Sequence, residues 1–199
     1  MSENVQGSTP SEKGTFDLRV EVYDWAQALV GAVVFVVLLF ALALSMFSVD
    51  GASMDPTLHD KQRLLISNWF YTPASGDIIM FTKKGVHVTG ADPDRDAPLV
   101  KRVIAVEGQT VRIDVDAGTV YVDGQALDEP YTAEALRSRG DWLPAGEVVV
   151  PEGHVFVLGD NRNASSDSRS SMIGMVDRRY ILGRVLLRIL PFDKFGTVR

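Results

Sequence analysis

Ser53 and Lys101 are the pair of side chains in this sequence whose types could together make and break an acyl bond. Ser53 stands in Gly51-Ala52-Ser53-Met54-Asp55-Pro56-Thr57-Leu58, a stretch of loop chemistry. It is not a nucleophile elbow of the G-x-S-x-G kind, because Asp55 occupies the second glycine position, and this disfavours the usual His-dependent hydrolase. Lys101 stands in Leu99-Val100-Lys101-Arg102-Val103-Ile104-Ala105-Val106, where strand alternation puts it on one face with Leu99, Val103 and Ala105. A lysine aimed at an apolar face loses hydration of its ammonium form, so its pKa falls and the neutral amine can take a proton from a serine hydroxyl. Lowering that pKa from about 10.4 to about 7.5 requires about 4 kcal/mol, a feasible demand on a desolvated site. Each residue alone also has a plain reading, Ser53 as a turn residue and Lys101 as a lysine reaching out to the strand edge.

A third block, Gly159-Asp160-Asn161-Arg162-Asn163-Ala164-Ser165-Ser166-Asp167-Ser168-Arg169, follows an apolar strand. It reads as a polar loop, or as a set of hydroxyl, amide and charged groups able to hold a lysine amine in place. Metal chemistry has little to draw on: there is no Cys, and the three His at 59, 87 and 154 lack ligand spacing such as HExxH. With 20 basic against 26 acidic residues and a formal charge of -6, the chain offers no broad basic surface for nucleic acid.

The elements that must position these groups begin with an apolar run. Residues 25–47 carry no charge and would reach about 34 Å as a helix, enough to span a bilayer. No polar stripe interrupts the run, which argues against a helix buried in a soluble core. A cleavable secretory signal is the other reading, since Ala41-Leu42-Ala43 has the A-x-A form, but the run is longer than a usual signal core and the preceding segment is not basic. An uncleaved anchor is the expectation, preceded by a short polar tail over residues 1–24. Lys13 and Arg19 before it are matched by Lys61 and Arg63 after it, so charge alone leaves its orientation open.

Beyond residue 48 the chain is a series of short β-branched runs separated by turn residues, which predicts an all-β, antiparallel domain over 48–199. Strands are expected at 78–81 and 99–106, with a hairpin through Ala117-Gly118 and a tight turn at Asp123-Gly124. A second hairpin is expected to join 148–150 to 154–158, and 181–190 to add a closing strand. A small inserted β subdomain is expected around 107–150, and a polar loop at 84–97.

Taken together, and in this order after an N-terminal anchor, these blocks resemble the type I signal peptidases of bacteria, in the short single-anchor form of Gram-positive organisms. GASMDPTL is similar to that family's nucleophile box, GDIIMF to the strand that follows it, VKRVIAVEG to its lysine box and GDNRNASSDSR to its last signature loop. The resemblance covers about residues 25 to 192. It implies Ser53 as nucleophile, Lys101 as general base, Ser165 hydrogen-bonded to the lysine amine, and Asp167 with Arg169 as a supporting ion pair. Met54, Leu58, Leu99 and Val100 match positions that line the first substrate pocket.

The resemblance further implies an antiparallel β fold and no cofactor. The substrates would be signal peptides of exported preproteins, cut after small residues. The chain would cross the cytoplasmic membrane once, with its catalytic domain on the extracytoplasmic side, embedded in the lipid bilayer near the secretion translocon. Gly51 departs from the Gram-negative pattern, in which a serine two residues before the nucleophile lends a hydroxyl to the oxyanion hole. The Ser53 N–H remains and the composition of the hole stays open, with the Gly51 N–H or an ordered water as substitutes for the missing donor and an ordinary backbone conformation expected at Gly51. Two rivals stand beside this reading. One is a soluble Ser-Lys self-cleaving repressor-type peptidase, for which no DNA-binding region is visible. The other is a membrane-anchored β-domain that binds peptides or proteins without cutting them.

Overall fold

A computed structural model describes residues 18–69, 71–83 and 98–198. Residues 1–17 of the tail expected over 1–24, and the loop expected at 84–97, which contains His87, lie outside the described residues, while residues 18–24 are helical. The apolar run forms helix α1, Leu18–Ala43, with its charged residues Arg19, Glu21 and Asp24 confined to the first two turns. The stretch Glu21–Leu38 is long and apolar enough to cross a membrane, and large side chains such as Trp25, Leu29 and Phe35 are exposed along it. Residues 44–47, read from the sequence as the end of the anchor, instead open the first strand. Hydropathy cannot separate the last turn of an apolar helix from an apolar strand that follows without a break.

The described residues beyond the helix form two antiparallel sheets. The strands are β1 Leu44–Ser48, β2 Arg63–Ser67, β3 Ile78–Phe81, β4 Leu99–Val106, β5 Thr110–Asp114, β6 Thr119–Val122, β7 Gln125–Ala126, β8 Val148–Val149, β9 His154–Leu158, β10 Val176–Asp177, β11 Ile181–Leu190 and β12 Gly196–Thr197. The large sheet runs β1-β2-β11-β3-β4-β9-β10, with β12 also paired to β11. The small sheet runs β7-β6-β5-β8. The expected β5–β6 hairpin forms, pairing Val111 with Val122 and Asp114 with Thr119.

The expected hairpin of 148–150 with 154–158 does not form: β8 pairs with β5 in the small sheet, while β9 pairs with β4 and β10 in the large one. The turn is real, with His154 N–H donating to the Pro151 carbonyl at 3.1 Å, but it passes the chain from one sheet to the other.

Strand β4 sits between β3 and β9, and its six residues Val100 to Ala105 are all buried. A strand covered on both faces shows no alternation, which is why its sequence is apolar on both sides of Lys101. A register shift between Val103 and Ala105 breaks the phase, so Ala105 packs with Ile104, Val111 and Phe156 rather than with Leu99 and Val103 as alternation had predicted.

Candidate active site

The loop between β1 and β2 carries Ser53, and main-chain bonds close its base. Val49 N–H donates to the Gln62 carbonyl and Lys61 N–H to the Val49 carbonyl, both at 2.8 Å. Within it, Leu58 N–H donates to the Met54 carbonyl at 2.9 Å, one helical turn that brings both side chains to the same side. Met54 and Leu58 are fully buried and pack with Leu64, Ile66, Met80 and Val185. These two residues thus anchor the loop while Ser53, between them and the exposed Gly51, stays half-buried.

Lys101 reaches that loop from β4. Its Nζ donates to Ser53 Oγ at 2.7 Å and to the Val100 carbonyl at 2.8 Å, and the residue is only 2% exposed. Burial pushes its pKa down to about 8, although the Asp167 and Asp160 carboxylates pull in the other direction. The desolvation effect wins because neither carboxylate touches the amine. Once neutral, the amine can accept the Ser53 hydroxyl proton across this same contact.

The loop after β9 closes the site from a third side. Asp167 and Arg169 form the expected ion pair, buried and two-pronged: Arg169 Nε donates to Oδ1 and Nη2 to Oδ2, each at 2.8 Å. Gly159 N–H also donates to Asp167 at 3.1 Å. The expected bond from Ser165 to the lysine amine is absent. The Ser165 Oγ is buried with no hydrogen-bond partner among the described residues, because Lys101 directs its amine at Ser53 and Val100 instead. A Cβ on Gly159 would collide with both Ser165 Oγ and the Ser53 carbonyl, so only glycine lets the three segments meet.

Gly51 is not in an ordinary conformation. Its φ is +89°, and its N–H donates to Asp60 Oδ1 at 2.8 Å, so that donor is already committed. The expected ordinary conformation is therefore corrected, and of the two substitutes named for the missing hydroxyl the Gly51 N–H is not free. A local turn closed by Asp60 requires the left-handed backbone there.

Of the expected pocket residues, Met54, Leu99 and Val100 line a small cleft beside Ser53 and Lys101, about 40 Å³ in volume, together with Val49. Leu58 does not line it, because the turn from Met54 carries its side chain into the core.

Several structural residues escaped the sequence reading. Arg102, next to Lys101, is 2% exposed and makes a two-pronged pair with Asp160, while its guanidinium lies 3.9 Å from the centre of the Tyr131 ring. Asp160 also accepts from Thr57 Oγ1 at 2.5 Å, tying the last loop to the Ser53 loop. Arg162 pairs with Glu129 through Nη1 at 2.6 Å and Nη2 at 2.5 Å. One signal could have found the first pair: consecutive charges at 101 and 102 in a strand apolar on both faces force at least one to be buried against a counter-ion. Among the described residues no group of acidic or histidine side chains is placed to hold a metal ion.

The chain thus carries an apolar N-terminal helix, antiparallel sheets and a serine hydroxyl in contact with a buried lysine amine. The family described as signal peptidase, peptidase S26, matches residues 22–190, and the chain belongs to this family of serine-type peptidases. It is similar to the signal peptidase I of Bacillus licheniformis, 32% identical over 197 residues that cover 92% of this chain and 97% of the relative. It is also similar to the probable signal peptidase I-1 of Synechocystis, 40% identical over 172 residues, or 82% of each chain. A crystal structure of a signal peptidase I from Enterococcus faecalis aligns with a TM-score of 0.40 and 30% identity, over 57% of this chain and 97% of that one.

Proposed function

We propose that this chain is a membrane-bound serine endopeptidase that removes N-terminal signal peptides from exported preproteins, with Ser53 as nucleophile and Lys101 as general base. The observation that carries the reading is the 2.7 Å contact between Lys101 Nζ and Ser53 Oγ, made by a buried amine whose pKa is lowered to about 8. Ser53 Oγ adds to the scissile carbonyl while its proton passes to Lys101 Nζ. The carbonyl π pair moves to the oxygen, and collapse expels the amine of the mature protein, which takes the proton from Lys101. Lys101 then takes a proton from water as its oxygen adds to the ester carbonyl, and collapse breaks the bond to Ser53 Oγ, which takes that proton back as the signal peptide leaves. The chain's own side chains suffice for each proton transfer, so no cofactor is invoked.

The small cleft beside Ser53, about 40 Å³ and lined by Val49, Met54, Leu99 and Val100, supports a preference for a small apolar residue before the cut. Helix α1 is read as the single span in the cytoplasmic membrane, with the short N-terminal tail inside and the β-sheet domain outside, near the translocon. The names of the relatives support the substrate class.

The test is to incubate the full chain with a preprotein in lipid vesicles and map the new N-terminus by mass spectrometry. One cut after a small-x-small site, lost when the residue before the cut is changed to Leu, is expected. No cut, or a cut indifferent to that change, would overturn the reading in favour of a binding domain or another specificity.

A further inference from the structure

Asn161 bonds both carbonyls that flank Ser53, sharing the Ala52 one with the Asp55 main-chain N–H, which donates to it at 3.1 Å. The Asn161 main-chain N–H donates to the Ser53 carbonyl, and the Asn161 carboxamide Nδ2 donates to the Ala52 carbonyl, each at 3.1 Å. A carbonyl oxygen only accepts, so the NH₂ end of the amide must face Ala52. The Ala52–Ser53 peptide is trans. In a planar trans peptide the C=O and N–H point in opposite directions, so pinning the Ala52 oxygen fixes where the Ser53 N–H points.

That N–H has no acceptor among the described residues, yet it belongs to the residue whose Oγ is held by Lys101. A free donor beside the nucleophile is suited to the substrate oxygen, which gains negative charge as Oγ adds to the carbonyl. Gly51 cannot share the work, having no hydroxyl and an N–H already spent on Asp60. The direction of this one N–H therefore matters more than it would in a site with a second donor from the same loop.

We propose that Asn161 is a positioning residue for the reaction: acting through the Ala52 carbonyl, its carboxamide aims the Ser53 N–H at the developing oxyanion. Asn161 touches no reacting atom and changes no bond in the reaction. The inference rests on Ser53 being the nucleophile.

Asn161→Ala and Asn161→Asp are made in the full detergent-solubilised chain and assayed on a signal-peptide substrate. Both keep the main-chain bond to Ser53, so the loop remains tethered. Because a misdirected donor loses part of what outright removal costs, kcat is expected to fall by about 10- to 100-fold with KM within about twofold. Asn161→Asp keeps the volume but presents only acceptors to the Ala52 oxygen, so it should fare no better than Asn161→Ala. A peptide aldehyde, whose adduct with a serine carries the oxyanion, should lose affinity in step with kcat. The pH limb belonging to Lys101 should not move in Asn161→Ala, which changes no charge and leaves the Nζ contacts in place. Unchanged kcat, a loss confined to KM, recovery in Asn161→Asp, or a shifted limb in Asn161→Ala would overturn the inference. Ser53→Ala is run alongside: an active Ser53→Ala sinks the assignment of the nucleophile, whereas an inactive one beside a fully active Asn161→Ala sinks only this proposal.

Discussion

Arg102 and Asp160 meet in a buried, two-pronged ion pair, Nε to Oδ1 at 2.8 Å and Nη2 to Oδ2 at 2.7 Å, one residue away from Lys101 on one side and one from Gly159 on the other. It joins the strand that carries the lysine to the loop that packs on Ser53. Removing one partner leaves the other charge buried and unpaired, which typically costs about 3 to 5 kcal/mol. Asp160→Ala is expected to lose that much in urea unfolding of the full chain in detergent. The double variant Arg102→Met, Asp160→Leu should lose less than the single one, and strict additivity of the two single losses would contradict the coupling.

Lys101 should make both activity and stability depend on pH. Its working form as a base is the neutral amine, so kcat/KM should rise with pH through about 8 and then level. For stability, the amine loses its proton near 8 in the folded chain but near 10.5 when unfolded, so between those values the unfolded chain binds more protons. Stability therefore rises across this window, the burial penalty being fully present below pH 8 and gone above 10.5. Relative to Lys101→Met, the native chain should gain about 2 to 3 kcal/mol between pH 7 and pH 10. A stability difference flat in pH would contradict the buried amine.

Gly51 at φ +89° gives a prediction opposite to the one its sequence position invites. Supplying the hydroxyl of the Gram-negative pattern by Gly51→Ser should not improve turnover. Space is open around the position, so the penalty is conformational, about 1 to 2 kcal/mol for an L-residue held left-handed. Lower stability with equal or lower kcat/KM is expected. A rise in kcat/KM would show that the loop readjusts to use the hydroxyl.

Gly159 has no such room. Gly159→Ala places a methyl group against Ser165 Oγ and the Ser53 carbonyl, the latter being main chain that cannot step aside without moving the nucleophile. At least a hundredfold loss of kcat/KM is expected on a signal-peptide substrate, in line with the cost of misplacing a reacting group by about 1 Å. Near-native turnover would contradict the tight packing of the loop after β9 on Ser53.

Much of this was legible in the sequence, and what was not has physical causes. Ser53 and Lys101, singled out from contiguous blocks, lie in contact, and the Asp167–Arg169 pair forms as the family resemblance implied. Strand β11 was found because turn residues and a charge cluster bracket its apolar run. Strand β1 was missed because it continues an apolar helix without a polar break, and the partner of β8 because pairing across the two sheets leaves no local trace. Asp160 lies 58 residues from Arg102 and Glu129 lies 33 from Arg162, so neither pair has a spacing that could be read. Asn161 was hidden for another reason: it acts on main-chain carbonyls, which every sequence possesses. Ser165 shows the opposite failure, since a residue placed by resemblance at the lysine has its hydroxyl buried without a partner among the described residues.

The most direct test of the central claim is kcat/KM on one preprotein for the native chain, Ser53→Ala and Lys101→Arg, with folding of each checked by circular dichroism. Arginine keeps the positive charge but does not give up its proton, so it cannot serve as the base. Both variants should fold and lose at least about a thousandfold in kcat/KM. A folded Ser53→Ala or Lys101→Arg chain that cuts the preprotein at the native rate would contradict the account.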